Sequence, residues 1–379
     1  MHPSRKKVSK TQVHWGVWIL LLVCFLGFAL FRMITIAPYI HDNPYTSKQA
    51  DVLAFFSYNE SVHSDPIQGC WYDSGDYIIF APRDALAAWY LSLAYAESTD
   101  THTRQDLLDV LQSPLACLDQ MMQSGYKQFR DQQSHGIQLS PVLHEQEFPQ
   151  TAYQLGAQEG RDTALLLALT YENLGERDKA SIYRQFAQEH ATQTYSERCC
   201  EEGNLAFSDN RLYALERLNG VNEHEYEGLW GAQPIAIAAL VEQEFAKIAG
   251  VLTYVQENFT SSGQPFDYVG GNYDIAGTIV LERLYAKKTG DQQFAPLSKH
   301  LYAYLLGYND YGTDFTNIKP HHACTFFRAC DLETALVNGV DDRKVVSPMD
   351  KPWQVTEVQT YGQAIFVLTR VLLSEYPID

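Results

Sequence analysis

The densest group of reactive side chains is Gly69-Cys-Trp-Tyr-Asp-Ser-Gly-Asp-Tyr77, which sets Asp73 and Asp76 three residues apart across a Ser-Gly turn. Both acids can project from one tight loop into the same small volume, between Trp71, Tyr72 and Tyr77. Neighbouring carboxyls raise one another's proton affinity, and aromatic walls exclude water. Such a pair suits one acid that activates a water molecule and a second that holds it. The same two aspartates would also satisfy turn amides and cap a helix beginning near Pro82.

A third acid, Glu357, stands where a loop gives way to the last helical pattern, within Trp353-Gln-Val-Thr-Glu-Val-Gln-Thr-Tyr-Gly-Gln-Ala364. Alone it reads as a partner for a helix dipole. The chain is also rich in aromatics, with 24 Tyr, 18 Phe and 6 Trp. Trp71, Tyr72, Tyr268, Tyr311 and Trp353 fall in long loops, where packing in a core is a less automatic role. Sugar rings stack their C–H faces on such side chains, and sugar hydroxyls bond carboxylates, amides and histidines. No glycine-rich phosphate-binding loop is present, so the aromatics favour a saccharide cleft over a phosphate site.

These residues need a scaffold, and the periodicity predicts a helical one. Apolar residues recur three or four apart over 81–97, 105–123, 161–174, 178–194, 209–218, 235–249, 252–258, 273–287, 295–306, 325–336 and 357–375. Three connections share one design: Leu174-Gly-Glu-Arg-Asp178, Leu218-Asn-Gly-Val-Asn222 and Lys288-Thr-Gly-Asp-Gln292. Each puts a glycine where a helix stops in the left-handed conformation, followed by a polar residue able to cap the next helix. Repeated connections of this kind build antiparallel helix pairs. With five or six pairs and no second core, the expected fold is an all-α toroid of helix hairpins, with an open solenoid as the alternative. Loops at 58–80, 124–159, 199–208, 260–272, 309–325 and 339–356 are expected to gather over one mouth of the toroid.

The N-terminus reads differently. Residues 15–31 carry no charge, residues 33–37 extend the apolar run past Arg32, and Arg5, Lys6, Lys7 and Lys10 precede it. About 20 apolar residues cross a bilayer core, and flanking positive charge keeps that end cytoplasmic. The expected organisation is a cytoplasmic tail at 1–14, a transmembrane signal anchor at 15–37, a linker at 38–48 and an exported domain at 49–379. A cleavable signal peptide is the rival, but no small-x-small cleavage site follows the run. The net charge of −18 disfavours nucleic acid as a partner and does not repel neutral sugars. Cys70, Cys117, Cys199, Cys200, Cys324 and Cys330 would all be exported, with a pairing that the sequence leaves open. Neither a C-x-x-C nor an H-E-x-x-H pattern occurs, so no metal site is expected.

Trp71-Tyr-Asp-Ser-Gly-Asp-Tyr77 resembles the Tyr-Asp-Ala-Gly-Asp signature of glycoside hydrolase family nine, the inverting cellulases. Further segments resemble the family in the same order: Asp106 to Gln123, Tyr268-Val-Gly-Gly-Asn272, Tyr304 to Gly312, Pro320-His-His322, Leu336 to Asp341, and Glu357-Val358. The resemblance runs from about residue 50 to the C-terminus. It implies an (α/α)6 toroid, Asp76 as the general base, Asp73 as its assistant and Glu357 as the acid that protonates the departing glycosidic oxygen. It also implies sugar hydroxyls bonded by His321 or His322, and a polysaccharide or oligosaccharide substrate with no cofactor. Inversion requires the base and acid carboxyls about 6.5–9.5 Å apart, with water between them.

Several positions depart from the family. Its His-x-Arg is His321-His-Ala323 here, which leaves Arg328 as a substitute for the sugar-binding arginine. The residue two after the acid is Gln359 in place of Ala or Ser, and Gln363 stands for Asn. The family's Cys/His zinc segment has no counterpart near residues 58–63, and no calcium-ligand cluster is legible. The expected activity is hydrolysis of a β-linked glucan or related polysaccharide. A catalytically inactive glycan-binding or assembly subunit on the same fold is the alternative, and a polysaccharide lyase is disfavoured by the scarcity of basic loop residues.

Overall fold

A computed structural model describes residues 49–60, 69–73, 78–124, 126–130, 152–154, 157–189, 245–259, 263, 266, 270–317, 335–340 and 357–378. All of these lie in one compact unit, Lys48–Asp379. The expected anchor at 15–37 lies outside the described residues, as do Asp76, Tyr77, Tyr268, His321, His322, Arg328 and Trp353. Among the described residues no helix is long and apolar enough to cross a membrane.

Nine α-helices are described: α1 Gln49–Tyr58, α2 Ala81–Glu97, α3 Thr101–Ser124, α4 Ala157–Asn173, α5 Arg177–Glu189, α6 Phe245–Asn258, α7 Gly271–Thr289, α8 Ala295–Leu305 and α9 Thr360–Glu375. They divide by how much of their circumference is apolar. Helices α2, α7 and α9 bury residues on every side; α7 buries every residue from Gly271 to Ala286. A helix buried all round belongs inside. Helix α5 buries only Ala180, Tyr183 and Ala187, spaced three and four apart, as an outer helix should. The packing follows this division. An inner row runs α7–α9–α2–α4, with α6 and α8 laid on α7, α1 on α9, α3 on α2, and α5 on α4. The C-terminal helix thus sits between helices from the first and third quarters of the chain, and this adjacency makes a long-range site possible.

The glycine connections form as expected where they are described. Gly175 (φ 80°) turns α4 into α5, and Gly290 (φ 74°) ends α7 with its N–H on the Ala286 carbonyl at 2.8 Å. Behind the inner row, α7 carries a fully buried ion pair between the adjacent Glu282 and Arg283. Ser298 from α8 donates to Glu282 at 2.6 Å, and Arg283 donates to the Tyr376 carbonyl at 3.2 Å, so the pair joins α7 to α8 and to the C-terminus.

Four features correct the sequence reading. The described fold is not purely α. Three short strands, β1 Ile78–Phe80, β2 Tyr126–Arg130 and β3 Ala152–Gln154, form an antiparallel sheet in the order β1-β2-β3 within segments read as loops. Three to five residues are too few for alternation to be legible. Helix α1 was missed, although Val52, Phe55 and Phe56 are buried at helical spacing. The helices expected at 235–249 and 252–258 are, where described, the single helix α6. It passes through Gly250, an exposed interior glycine of the kind a helix tolerates at about 1 kcal/mol. Residues 335–340, the first two of which lie in a stretch taken as helix up to 336, form neither helix nor strand.

Cys70 and Cys117 form a disulfide, with Cα atoms 5.3 Å apart, that fixes the 69–73 segment to α3. One turn away, Gly69 (φ 82°) lies so close to α3 that a Cβ there would fall 2.2 Å from Ser113 Oγ. The bridge spans 47 residues, a loop whose closure entropy corresponds to about 4 kcal/mol. Urea unfolding of a Cys70→Ala/Cys117→Ala variant is expected to show a loss of about 2–4 kcal/mol, and a reducing agent should bring the parent chain to the same midpoint. A parent midpoint indifferent to reductant would show that the bridge does not contribute.

Candidate active site

Helices α2, α7 and α9 start at the same end of the inner row, and hydrogen bonds stitch the segments entering them. Thr360, the first residue of α9, donates its N–H to the Asp73 carbonyl at 2.8 Å, and its hydroxyl bonds the Tyr72 carbonyl. Asn59 donates to both the Tyr72 carbonyl and Thr360 Oγ1 at 2.6 Å. From the first turn of α7, the Tyr273 hydroxyl donates to the Glu357 carbonyl at 2.9 Å and accepts the Gln359 N–H at 3.1 Å. The Asn338 N–H donates to the Glu357 carbonyl at 2.9 Å, while the Asn338 carbonyl takes the N–H groups of Gly270 and Asn272 at 3.1 and 3.3 Å. Two glycines permit this closeness: a Cβ on Gly362 would fall 2.4 Å from the Tyr273 ring, and one on Gly339 (φ 109°) would fall 2.6 Å from the Asn272 amide.

Asp73 and Glu357 are thereby brought together across 284 residues of sequence, close enough for the charge of Glu357 to act on Asp73. Glu357 precedes α9 rather than opening it, with Gln359 at the cap position, and is half-buried. Its Oε2 accepts Gln359 Nε2 at 2.8 Å and Asn338 Nδ2 at 3.1 Å, which fixes the carboxyl's orientation. Asp73 is 6 % exposed. Its Oδ2 is ion-paired with Arg83, and its Oδ1 has no hydrogen-bond partner among the described residues. The Asp73 carboxyl is raised on balance: burial pushes it up most, the Arg83 guanidinium pulls it part of the way back, and Glu357 adds a smaller upward push. Arg83 itself is raised, because the anionic groups around it outweigh the cost of burial.

A second buried acid lies beside this pair. Asp84 is fully buried in the first turn of α2, and among the described residues no donor reaches either carboxyl oxygen with full hydrogen-bond geometry, the Trp71 N–H being the near one. Burial first, and the charge of Asp73 second, push it well above the carboxylate range; the Trp71 backbone N–H and Arg83 offset part of this. Tyr273 and Tyr361, stacked edge to face at 5.6 Å between ring centroids, are also pushed up by burial and are neutral hydroxyls. Among the described residues no group of three or more His, Cys, Asp or Glu side chains is arranged to hold a metal ion.

The expected sugar platforms fare unevenly. Trp71 is 1 % exposed and packs on Phe56 with ring centroids 5.0 Å apart; Tyr72 is 6 % exposed. Both rings are core, with no face left for stacking on a sugar. Tyr311 is half-buried in a loop that Asn309 folds on itself through the N–H groups of residues 311 and 313. The sequence reading missed Arg83, Asp84, Tyr273, Asn338 and Thr360. Arg83 did leave a signal: a cation in the first turn of a helix opposes the macrodipole and calls for an anion close by.

The state of Asp84 has a measurable consequence. A carboxyl raised in the folded chain makes stability fall as pH rises from the ordinary value of about 3.9 towards the folded value, because the folded state retains a proton that the unfolded state releases. Asp84→Asn removes that proton, so its thermal midpoint should fall less between pH 4 and pH 7 than that of the parent. Parallel midpoint curves would show that Asp84 is ionised in the fold.

Neither a protein-family profile nor a curated protein sequence matches the chain. Solved structures do. The cellulase Cel9M of C. cellulolyticum, in complex with cellobiose, superposes with a TM-score of 0.59 at 18 % identity, covering 87 % of this chain and 98 % of Cel9M. Endoglucanase CelQ from Clostridium thermocellum, complexed with cellobiose and cellotriose, gives 0.62 at 15 %, covering 88 % of this chain and 70 % of CelQ. A metagenome-derived glycoside hydrolase family 9 endoglucanase gives 0.60 at 14 %, covering 87 % and 80 %. The chain therefore has the fold of the family 9 endoglucanases, in a divergent form.

Proposed function

We propose that the chain is an exported, membrane-anchored glycoside hydrolase that cleaves a β-linked glucan or related polysaccharide with inversion. The observation that carries the reading is the joining of Asp73 and Glu357 at the shared end of α2, α7 and α9, in a fold whose solved relatives hold cellobiose and cellotriose. In this mechanism the Glu357 carboxyl gives its proton to the glycosidic oxygen as the C–O bond breaks. A water held by Asp73 and Asp76 attacks the anomeric carbon from the opposite face and yields its proton to Asp76. The Asp73 oxygen that has no donor among the described residues is an acceptor suited to that water. Gln359 and Asn338 orient the acid by occupying one of its two oxygens. His321, His322, Arg328, Tyr268, Tyr77 and Trp353 are the remaining residues proposed to meet the sugar; Trp71 and Tyr72 are left to the core.

The inactive glycan-binding alternative draws on one observation, the replacement of the family's His-x-Arg by His321-His-Ala323. Incubation with soluble β-glucans separates the two readings. New reducing ends of inverted anomeric configuration are expected from the parent chain, falling by about 10²-fold or more in Asp76→Ala and in Glu357→Gln. Binding without cleavage, or cleavage undiminished in both variants, contradicts the hydrolase reading.

The membrane part of the proposal rests on the uncharged stretch at 15–31 with its preceding basic residues, and gains support from the Cys70–Cys117 bridge, since disulfides persist in oxidising compartments. The full chain is expected to stay with membranes through an alkaline wash. Recovery of a soluble chain lacking residues 1–37 would identify a cleaved signal peptide instead.

A further inference from the structure

We propose that Arg83 is a positioning residue that keeps the Asp73 carboxylate charged and fixed in place for the hydrolytic step. The inference deepens the functional reading above and rests on it for the role of Asp73. Arg83 lies outside every motif of the sequence resemblance.

Asp73 is buried and has one described side-chain partner, Arg83 Nη1 on Oδ2, while Oδ1 has none. A buried carboxylate whose only charge-assisted bond is one ion pair loses most of its support when that partner goes. The groups facing the pair come from three elements. Asp84 adjoins it on α2, Glu357 and Tyr361 face it from the start of α9, and Tyr273 faces it from the start of α7, where Asp274 acts in turn on Tyr361. Among these described neighbours every titratable side chain is an acid or a phenol, and Arg83 is the cation. Burial holds both phenols and Asp84 neutral, which leaves Arg83 to balance the anions.

The identity of the cation matters. A guanidinium stays protonated across the working range of any enzyme, so the balance it supplies does not titrate. Arg83 stands in the first turn of α2, where the helix dipole disfavours positive charge. The ion pair with Asp73 offsets that cost. Without it, burial and the Glu357 charge both drive Asp73 towards its protonated form, in which it no longer holds the attacking water as a charged hydrogen-bond acceptor.

The test compares full-length parent, Arg83→Met, Arg83→Gln and Arg83→Lys by kcat/KM on a soluble β-glucan from pH 4 to 9, with ¹³C-carboxyl NMR titration of Asp73, identified by the resonance lost in Asp73→Asn. In Arg83→Met the acid limb of the profile should move up by about one pH unit or more, so that activity relative to parent is about ten-fold lower at pH 5 than at pH 8. The Asp73 resonance should titrate correspondingly higher. Arg83→Gln, which keeps a donor but drops the charge, should behave like Arg83→Met and carries the test if the methionine variant does not fold. Arg83→Lys should keep the limb closer to that of the parent. An activity loss uniform in pH, with an unmoved Asp73 titration, would reduce Arg83 to a packing role and overturn the proposal. A parent chain that cleaves no glucan, while Arg83→Met still shifts the Asp73 titration, would sink the hydrolase reading and leave the control of Asp73 by Arg83 standing.

Discussion

Backbone hydrogen bonding at the shared starting end of three inner helices is the constraint on which the rest of the site depends. The Thr360 N–H on the Asp73 carbonyl and the Tyr273 hydroxyl between Glu357 and Gln359 use up groups that a helix start leaves unpaired. Satisfying them across elements rather than within one makes the register of α9 against α2 and α7 part of the site's geometry. Glycines at 339 and 362 pay for this closeness by giving up side chains that the adjacent Asn272 and Tyr273 would meet. The disulfide to α3 and the tight contact at Gly69 then hold the aspartate segment from its other side.

Electrostatics follow from the same arrangement. Converging helix N-termini bring aligned peptide dipoles that favour negative charge, and the acids Asp73, Asp84, Asp274 and Glu357 collect there. Burial opposes so many ionised carboxyls. The molecule resolves the conflict unevenly, with Asp84 neutral, Asp73 ion-paired to Arg83, and Glu357 half-exposed and hydrogen-bonded by two amides. Acids in neighbouring but unlike surroundings can hold different protonation states at one pH, as acid–base catalysis requires.

Much of this was legible in the residues, for identifiable reasons. The carboxylates at 73 and 357 stood out because each sits in a local pattern that differs from its surroundings. Helix α2 was bounded correctly at 81–97 because its apolar residues are dense, and Gly175 and Gly290 marked helix ends because only a glycine enters the left-handed region freely. Pairwise and long-range facts were hidden. Six cysteines beyond residue 48 carry no record of which pair forms, and three-residue strands have no period to detect. The Arg83–Asp73 ion pair depends on how a loop folds over a helix start. Trp71 and Tyr72 misled for the same reason, since a loop that packs back onto the core buries its aromatics as a helix would.

In the proposed reaction, Glu357 and the aspartate loop meet across a sugar-binding groove at the shared starting end of α2, α7 and α9. A crystal structure of the Glu357→Gln variant soaked with cellotetraose tests it most directly. The prediction is an oligosaccharide lying across that end, with a glycosidic oxygen within about 3 Å of the residue 357 side chain and the Asp73–Asp76 loop on the opposite face of the sugar ring. An oligosaccharide bound elsewhere, or residue 357 and the loop on the same side of the chain of sugars, would contradict it.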